Sequence, residues 1–106
     1  MTYPTLFSPL QVGAHTLRNR IVHTATVSGY GAAMRPTQRL IDYHQSRAAG
    51  GTAMIVTELM PVHHTSLANP FLISVFDEDN LDLFKRWAEA VEAEDCRLVG
   101  QLGHVG

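Results

Sequence analysis

Arg47-Ala48-Ala49-Gly50-Gly51-Thr52-Ala53-Met54-Ile55-Val56-Thr57-Glu58 holds a helix end, a glycine break and a strand in immediate succession. Upstream, Pro36-Thr37 opens the helix, because proline in a first turn gives up an N–H that has no partner there anyway. Leu40, Ile41, His44 and Ala48 then recur on one face at helical spacing. Gly50-Gly51 ends the helix, glycine being the residue that adopts positive φ at no cost. Ala53 to Thr57 is a short, nearly unbroken apolar run, the pattern of a strand covered on both faces.

The same alternation extends in both directions. Leu10-Gln11-Val12 and Thr16-Leu17 flank Gly13-Ala14-His15 and predict a small hairpin. Arg20 to Val27, rich in β-branched residues, predicts a strand broken by Ser28-Gly29-Tyr30-Gly31. A polar, proline-bearing loop runs from Leu59 to about Glu78. Asp77, Asp79 and Asn80 are suited to cap the next helix. In that helix Leu81, Phe84, Ala88 and Val91 form one apolar stripe, with Lys85, Arg86, Glu89 and Glu92 mostly opposite. Arg97 to Leu102 reads as the third strand, followed by Gly103-His104-Val105-Gly106.

Strands alternating with amphipathic helices imply parallel strands joined by crossovers. An open doubly wound sheet and the start of a (β/α)8 barrel both fit. No G-x-G-x-x-G follows the first strand and no G-x-x-x-x-G-K occurs, which weakens the dinucleotide-binding sheet and favours the barrel. A barrel takes ~250 residues, so residues 1–106 are expected to be its N-terminal fragment, about β-α-β-α-β after a hairpin. Two helices on one side leave the other face and the outer strand edges open.

Composition excludes several classes. The chain is 45% hydrophobic and 17% charged, as ordinary globular domains are. A net charge of -2 with no basic run gives no footprint for nucleic acid or for an anionic membrane. Met1 to Leu10 does not read as a signal peptide and no stretch is long and apolar enough to span a bilayer. The single cysteine, Cys96, fits a reducing cytoplasm and reads as a small apolar core residue.

In parallel α/β folds ligands bind at the C-terminal strand ends. Thr24-Ala25-Thr26-Val27 with Ser28-Gly29-Tyr30, Thr57-Glu58-Leu59, and Gln101-Leu102-Gly103-His104 all fall there. Gln101, a glutamine late in an apolar strand, needs a partner for its amide: a neighbouring backbone or the edge of a heteroaromatic ligand. Glu58 is expected to pair with a structural cation such as Arg20 or Arg47, the alternative being a general base. His104 reads as a loop histidine and Tyr30 as a loop aromatic, either packed or reaching a ligand. Adjacent His63-His64 is poor metal-ligand spacing, and no metal site is assigned.

These segments together resemble the Old Yellow Enzyme, or NADH:flavin oxidoreductase, family. The resemblance rests on Leu6-Phe7-Ser8-Pro9-Leu10 with Val12-Gly13, on Thr16 to Val22, on Arg47 to Gly51 with Ile55 to Glu58, and on Gln101 to Gly106. The second half also resembles the dienoyl-CoA-reductase branch. The resemblance implies a (β/α)8 barrel with FMN at its C-terminal mouth and NAD(P)H as reductant. Hydride would pass from reduced FMN to an activated C=C of a small-molecule substrate. By position it implies that Thr24, Ala25 and Thr26 line the flavin through their backbone. Gln101 would bond its pyrimidine edge and the Leu59 backbone would approach it. Tyr30 and His104 are weaker candidates for substrate contact. The family usually has Ala or Gly where Leu59 stands, and many members have Thr or Cys at Val27.

The family's catalytic histidine or asparagine pair, proton donor and phosphate loops come from later strands. No catalytic residue is therefore assigned, and a 4Fe-4S cluster would belong to sequence beyond Gly106. Full-length relatives are expected to be homo-oligomers. The alternative is a truncated, inactive fragment that at most binds flavin weakly or pairs with another chain.

Overall fold

In the computed structural model the described residues are 2–66 and 69–106. Leu67 and Ala68, inside the long connection expected from Leu59 to Glu78, lie outside them, as does Met1. The hairpin is present as β1 (Leu10–Val12) and β2 (His15–Leu17), antiparallel with Gln11 opposite Thr16. β3 (Val22–His23), β4 (Met54–Pro61) and β5 (Arg97–Gly103) form a parallel sheet in the order β3-β4-β5. Helices α1 (Gln38–Ala49) and α2 (Leu81–Glu92) make the two crossovers. The architecture is the β-α-β-α-β that the alternation predicts.

α1 starts where Thr37, in an extended conformation, accepts the Leu40 N–H with its hydroxyl. Its expected face is the buried one: Leu40, Ile41, His44 and Ala48 are all closed off from solvent. Gly51, at φ 119°, makes the turn into β4 in a conformation that side chains rarely adopt. Arg18 and Asn19 clamp this turn. The Arg18 guanidinium donates to the Ala48 carbonyl in the last turn of α1 at 2.6 Å and to the Thr52 carbonyl beyond the helix at 3.0 Å. Asn19 donates to the Gly51 carbonyl at 2.8 Å and accepts the Ile21 N–H at 2.9 Å. The lead-in to β3 is thereby tied to the lead-in to β4.

One apolar cluster joins both helices to the sheet: Leu40, Ile41 and Ala48, Ile55 and Met60, Trp87 and Val91, with Ile73 and Cys96. Both helices thus pack on the same side. The α2 stripe needs correction. Val91 is buried and Phe84 and Ala88 are half-buried, but Leu81 is 68% exposed and the dominant core residue is Trp87. Leu81 follows directly on the 3-10 turn Glu78–Asn80, so the helix's first residue faces outward. Capping also differs. Asp77 caps the 3-10 turn by accepting the Asp79 N–H, while Asn80 turns inward and donates to the Met34 and Ser74 carbonyls.

The first strand is shorter than expected and the second longer. Only Val22 and His23 pair with β4; Thr24 to Val27 leave the ladder. β4 continues to Pro61, taking Leu59 out of the expected loop and into the sheet.

Candidate functional site

The C-terminal half of β4 carries an extra residue. Val56 pairs with Val99, yet the next partners are Leu59 and Gln101, so three steps on β4 match two on β5. The inserted residue makes a bulge at Thr57-Glu58, which are buried in succession and break the in-out alternation. A bulge costs a ladder hydrogen bond, and Thr57 restores it: its hydroxyl accepts the Gln101 N–H at 3.0 Å and donates to the Glu58 carbonyl at 2.9 Å. The consequence is positional. Without the bulge Glu58 would stand opposite Gln101; with it, Leu59 does.

The sheet face away from the helices is the more open one, the β1–β2 hairpin lying beside Met54 and Val99 only at its lower end. Val22 opposite Met54, Val56 opposite Val99, and Leu59 opposite Gln101 follow one another along it. Val22 and Val99 are 37% and 42% exposed, and the Gln101 side chain is exposed as well. Leu59 lies over Gly103, where an added Cβ would sit 2.6 Å from a Leu59 methyl carbon. The large residue at 59 is thus accommodated because its neighbour on β5 has no side chain.

Thr24, Ala25, Thr26 and Val27 run on from the end of β3, all exposed, with the Thr26 hydroxyl donating to the Thr24 carbonyl at 3.3 Å. They lie at the same end of the parallel sheet as Leu59 and Gln101. Tyr30 is half-buried against α1, its ring under the Arg39 guanidinium at 3.9 Å and edge-on to Tyr43 at 5.4 Å. His104 sits at the same strand end. Its Nδ1 accepts the Gly106 N–H at 2.9 Å, which leaves the proton of the neutral ring on Nε2 to donate to Thr65 Oγ1 at 2.8 Å. Thr65 can then donate to His63 Nδ1 at 2.9 Å, a link across the mouth end that spacing alone does not show.

Glu58 overturns its expected pairing. Among the described residues its partner is the Ser28 hydroxyl, which donates to Oε1 at 2.8 Å; Oε2 is buried without a partner. Arg20 instead donates to Ser8 Oγ and the Pro9 carbonyl, and Arg47 to the Tyr43 carbonyl while stacking on the Tyr43 ring. Burial raises the Glu58 carboxyl above its ordinary range, partly offset by the Ser28 hydroxyl and the Ser28 and Gly29 amides.

Behind the sheet, His44 Nδ1 accepts the Trp87 indole N–H at 3.0 Å, with the rings stacked at 5.5 Å. Burial, then nearby His23 and Arg47, lowers the His44 pKa to about 4. Cys96 is buried and its thiol is pushed up to about 11, mainly by that burial, so its thiolate is suppressed. Among the described residues no helix is long and apolar enough to cross a membrane.

A parallel sheet with helices on one side and strand ends meeting at one mouth is an open sector of a (β/α)8 barrel. The solved Old Yellow Enzyme homologue from Zymomonas mobilis superposes with a TM-score of 0.88 at 25% identity, over 97% of this chain and 29% of that one. Residues 5–106 match the NADH:flavin oxidoreductase / NADH oxidase family, and the chain belongs to it. The chain is 35% identical over 102 residues to a metal reductase of Desulforamulus reducens, covering 95% of this chain and 15% of that protein. It is also 35% identical over 103 residues to the 4,4'-dithiodibutanoate disulfide reductase of Rhodococcus erythropolis, covering 97% and 25%. The chain therefore spans a quarter or less of these two relatives.

Proposed function

We propose that residues 1–106 form the flavin-facing start of an FMN-dependent NAD(P)H oxidoreductase of the ene-reductase type. The supporting observation is the convergence of Thr24–Thr26, Leu59 and Gln101 at one end of the sheet, on the face the helices leave open. These residues suit a flavin: an exposed amide on an apolar wall, beside a backbone segment that has left its ladder. FMN, when bound, supplies the hydride chemistry between NAD(P)H and an activated C=C. The chain's own residues bind and orient. The Gln101 amide, with both donor and acceptor, matches the alternating polar edge of a pyrimidine ring. The Thr24–Thr26 backbone offers further hydrogen-bonding groups, and Val56, Leu59 and Val99 keep that wall apolar. Val27 has no hydroxyl or thiol to donate toward the ring.

The test follows amide resonances of the isotopically labelled chain as FMN is added. Shifts centred on Thr24–Thr26, Leu59 and Gln101 are expected, with Gln101→Ala weakening the affinity about tenfold or more. Shifts elsewhere, or an unaltered affinity in the variant, reject the assignment. The substrate is tested by grafting residues 5–106 in place of the matching segment of the Rhodococcus relative. The chimera should retain FMN, and comparing its NAD(P)H-driven turnover of an enone and of a disulfide separates ene-reduction from disulfide reduction.

A second reading is favoured by the more open apolar face and the open outer edge of β5. By itself the 106-residue chain is catalytically inactive and binds flavin weakly at most, or it works as one piece paired with another chain. Stoichiometric, tight FMN binding by a monomer of this chain would reject it.

A further inference from the structure

We propose that Glu58 is a positioning residue: through Ser28 it locks the segment 24–30 onto β4, so that the Thr57-Glu58 bulge sets the seat of the flavin wall. The inference rests on the flavin reading above only for what the wall does; the lock itself stands on contacts within this chain.

Thr24 to Val27 lack strand partners, and a segment that has left its ladder needs another anchor to keep one shape. Ser28 supplies it in both directions. Its hydroxyl donates to Glu58 Oε1 at 2.8 Å and accepts the Tyr30 N–H at 3.1 Å. The Tyr30 carbonyl in turn accepts the Thr37 hydroxyl, which also caps α1. The run from Glu58 through Ser28 and Tyr30 to Thr37 therefore joins the centre of the sheet to the start of the first helix.

Glu58 occupies this position only because of the bulge. The extra residue places Thr57 and Glu58 inward in succession, freeing Glu58 from the strand's alternation and giving Leu59 the place opposite Gln101. One insertion thus sets two parts of the wall: Leu59 directly, and segment 24–30 through Ser28. The carboxyl is 1% exposed and has no counter-cation among the described residues. A buried carboxyl is expensive to keep for packing alone, and its use as an acceptor for the Ser28–Gly29 segment accounts for its presence.

The experiment uses the 106-residue chain and its variants Glu58→Leu, Glu58→Gln and Ser28→Ala, read by amide hydrogen exchange and by FMN-induced amide shifts. Glu58→Leu keeps the site apolar and removes the acceptor; exchange at Tyr30 and along 24–29 should rise about tenfold, with β4–β5 amides unchanged. Glu58→Gln retains an acceptor oxygen and should restore wild-type protection. Ser28→Ala should reproduce the Leu variant. FMN shifts at Thr24–Thr26 should weaken in the Leu variant and return in the Gln variant. Tyr30 exchange that is equal in the Leu variant and the wild type overturns the lock, as does a Gln variant that behaves like Leu. FMN that shifts none of these amides even in the wild-type chain overturns the flavin reading while an altered exchange pattern upholds the lock.

Discussion

The two faces of the three-stranded sheet are finished to different degrees. On the helix side, Ile55 and Met60 meet Leu40, Trp87 and Val91 in one buried cluster, beside an apolar cleft lined by Met60, Phe84, Trp87 and Leu98, and the polar atoms of His44 and Trp87 pair with each other. On the other side Val22, Val56, Leu59 and Val99 form an apolar wall that is only partly covered, the hairpin residues Val12, His15 and Leu17 lying beside Met54 and Val99 at its lower end, with Gln101 at its mouth end. The helix face is a core, whose residues answer to packing. The open face is apolar along the strands and carries an exposed amide, Gln101, at its mouth end.

The largest test of that contrast is Trp87→Ala. It should destabilise the chain by about 3–5 kcal/mol, as large-to-small changes in packed cores do, measured by chemical denaturation. A loss under 1 kcal/mol would show that the helix face is no better packed than the open one.

Acid is the next lever, through His44. Its folded pKa of about 4 lies below the ordinary 6.5, so between these values the unfolded chain binds the proton that the folded chain refuses. Stability is full above pH 6.5 and is lost as pH falls toward 4, by up to about 3 kcal/mol. His44→Gln, which still offers an acceptor to the Trp87 N–H, should flatten the melting-temperature profile in that window. An unchanged slope would place the acid sensitivity elsewhere.

Glu58 tilts stability the other way. Its folded pKa is raised, so the folded chain holds a proton that the unfolded chain releases as pH climbs past its ordinary 4.5. That stability is present at low pH and is lost on going up. Glu58→Gln should melt higher than wild type at pH 7, with the gap closing by pH 4; a gap independent of pH would contradict the burial that raises the carboxyl. The smallest effect belongs to the open face. Val99→Thr, at a 42% exposed site, should change stability by no more than about 0.5 kcal/mol. A loss comparable to that at Trp87 would mean the open face is covered in solution, and sedimentation would show by what.

Much of the frame was legible in the residues. The α1 face and the glycine turn into β4 follow from local rules, and the structure agrees with them; the helix start differs, because Thr37 is the N-cap and Pro36 precedes it, outside the first turn. The α2 stripe was half legible: periodicity located Val91 but ranked Leu81 with it and passed over Trp87, because an apolar helix start can face outward when a 3-10 turn leads into it. Arg18 and Asn19 stood in the quoted family segment without a role, since their partners at Ala48, Gly51 and Thr52 are some thirty residues away in sequence.

The site divides in the same way. That Thr24–Thr26, Leu59 and Gln101 fall at strand ends is a matter of order along the chain, and the alternating pattern was enough to say so. Which of Glu58 and Leu59 stands opposite Gln101 is not. A bulge shifts register by one residue without a mark in composition, and the hydroxyl that makes it tolerable, Thr57, bonds a residue on another strand. The element order, the parallel topology and the family could all be read from the order of residues along the chain. The partner of Glu58, the acceptor role of His44 Nδ1 and the residues facing the mouth emerge only in the folded sheet. Each of these depends on atoms brought together from distant positions, and burial and register exist only once the sheet has formed.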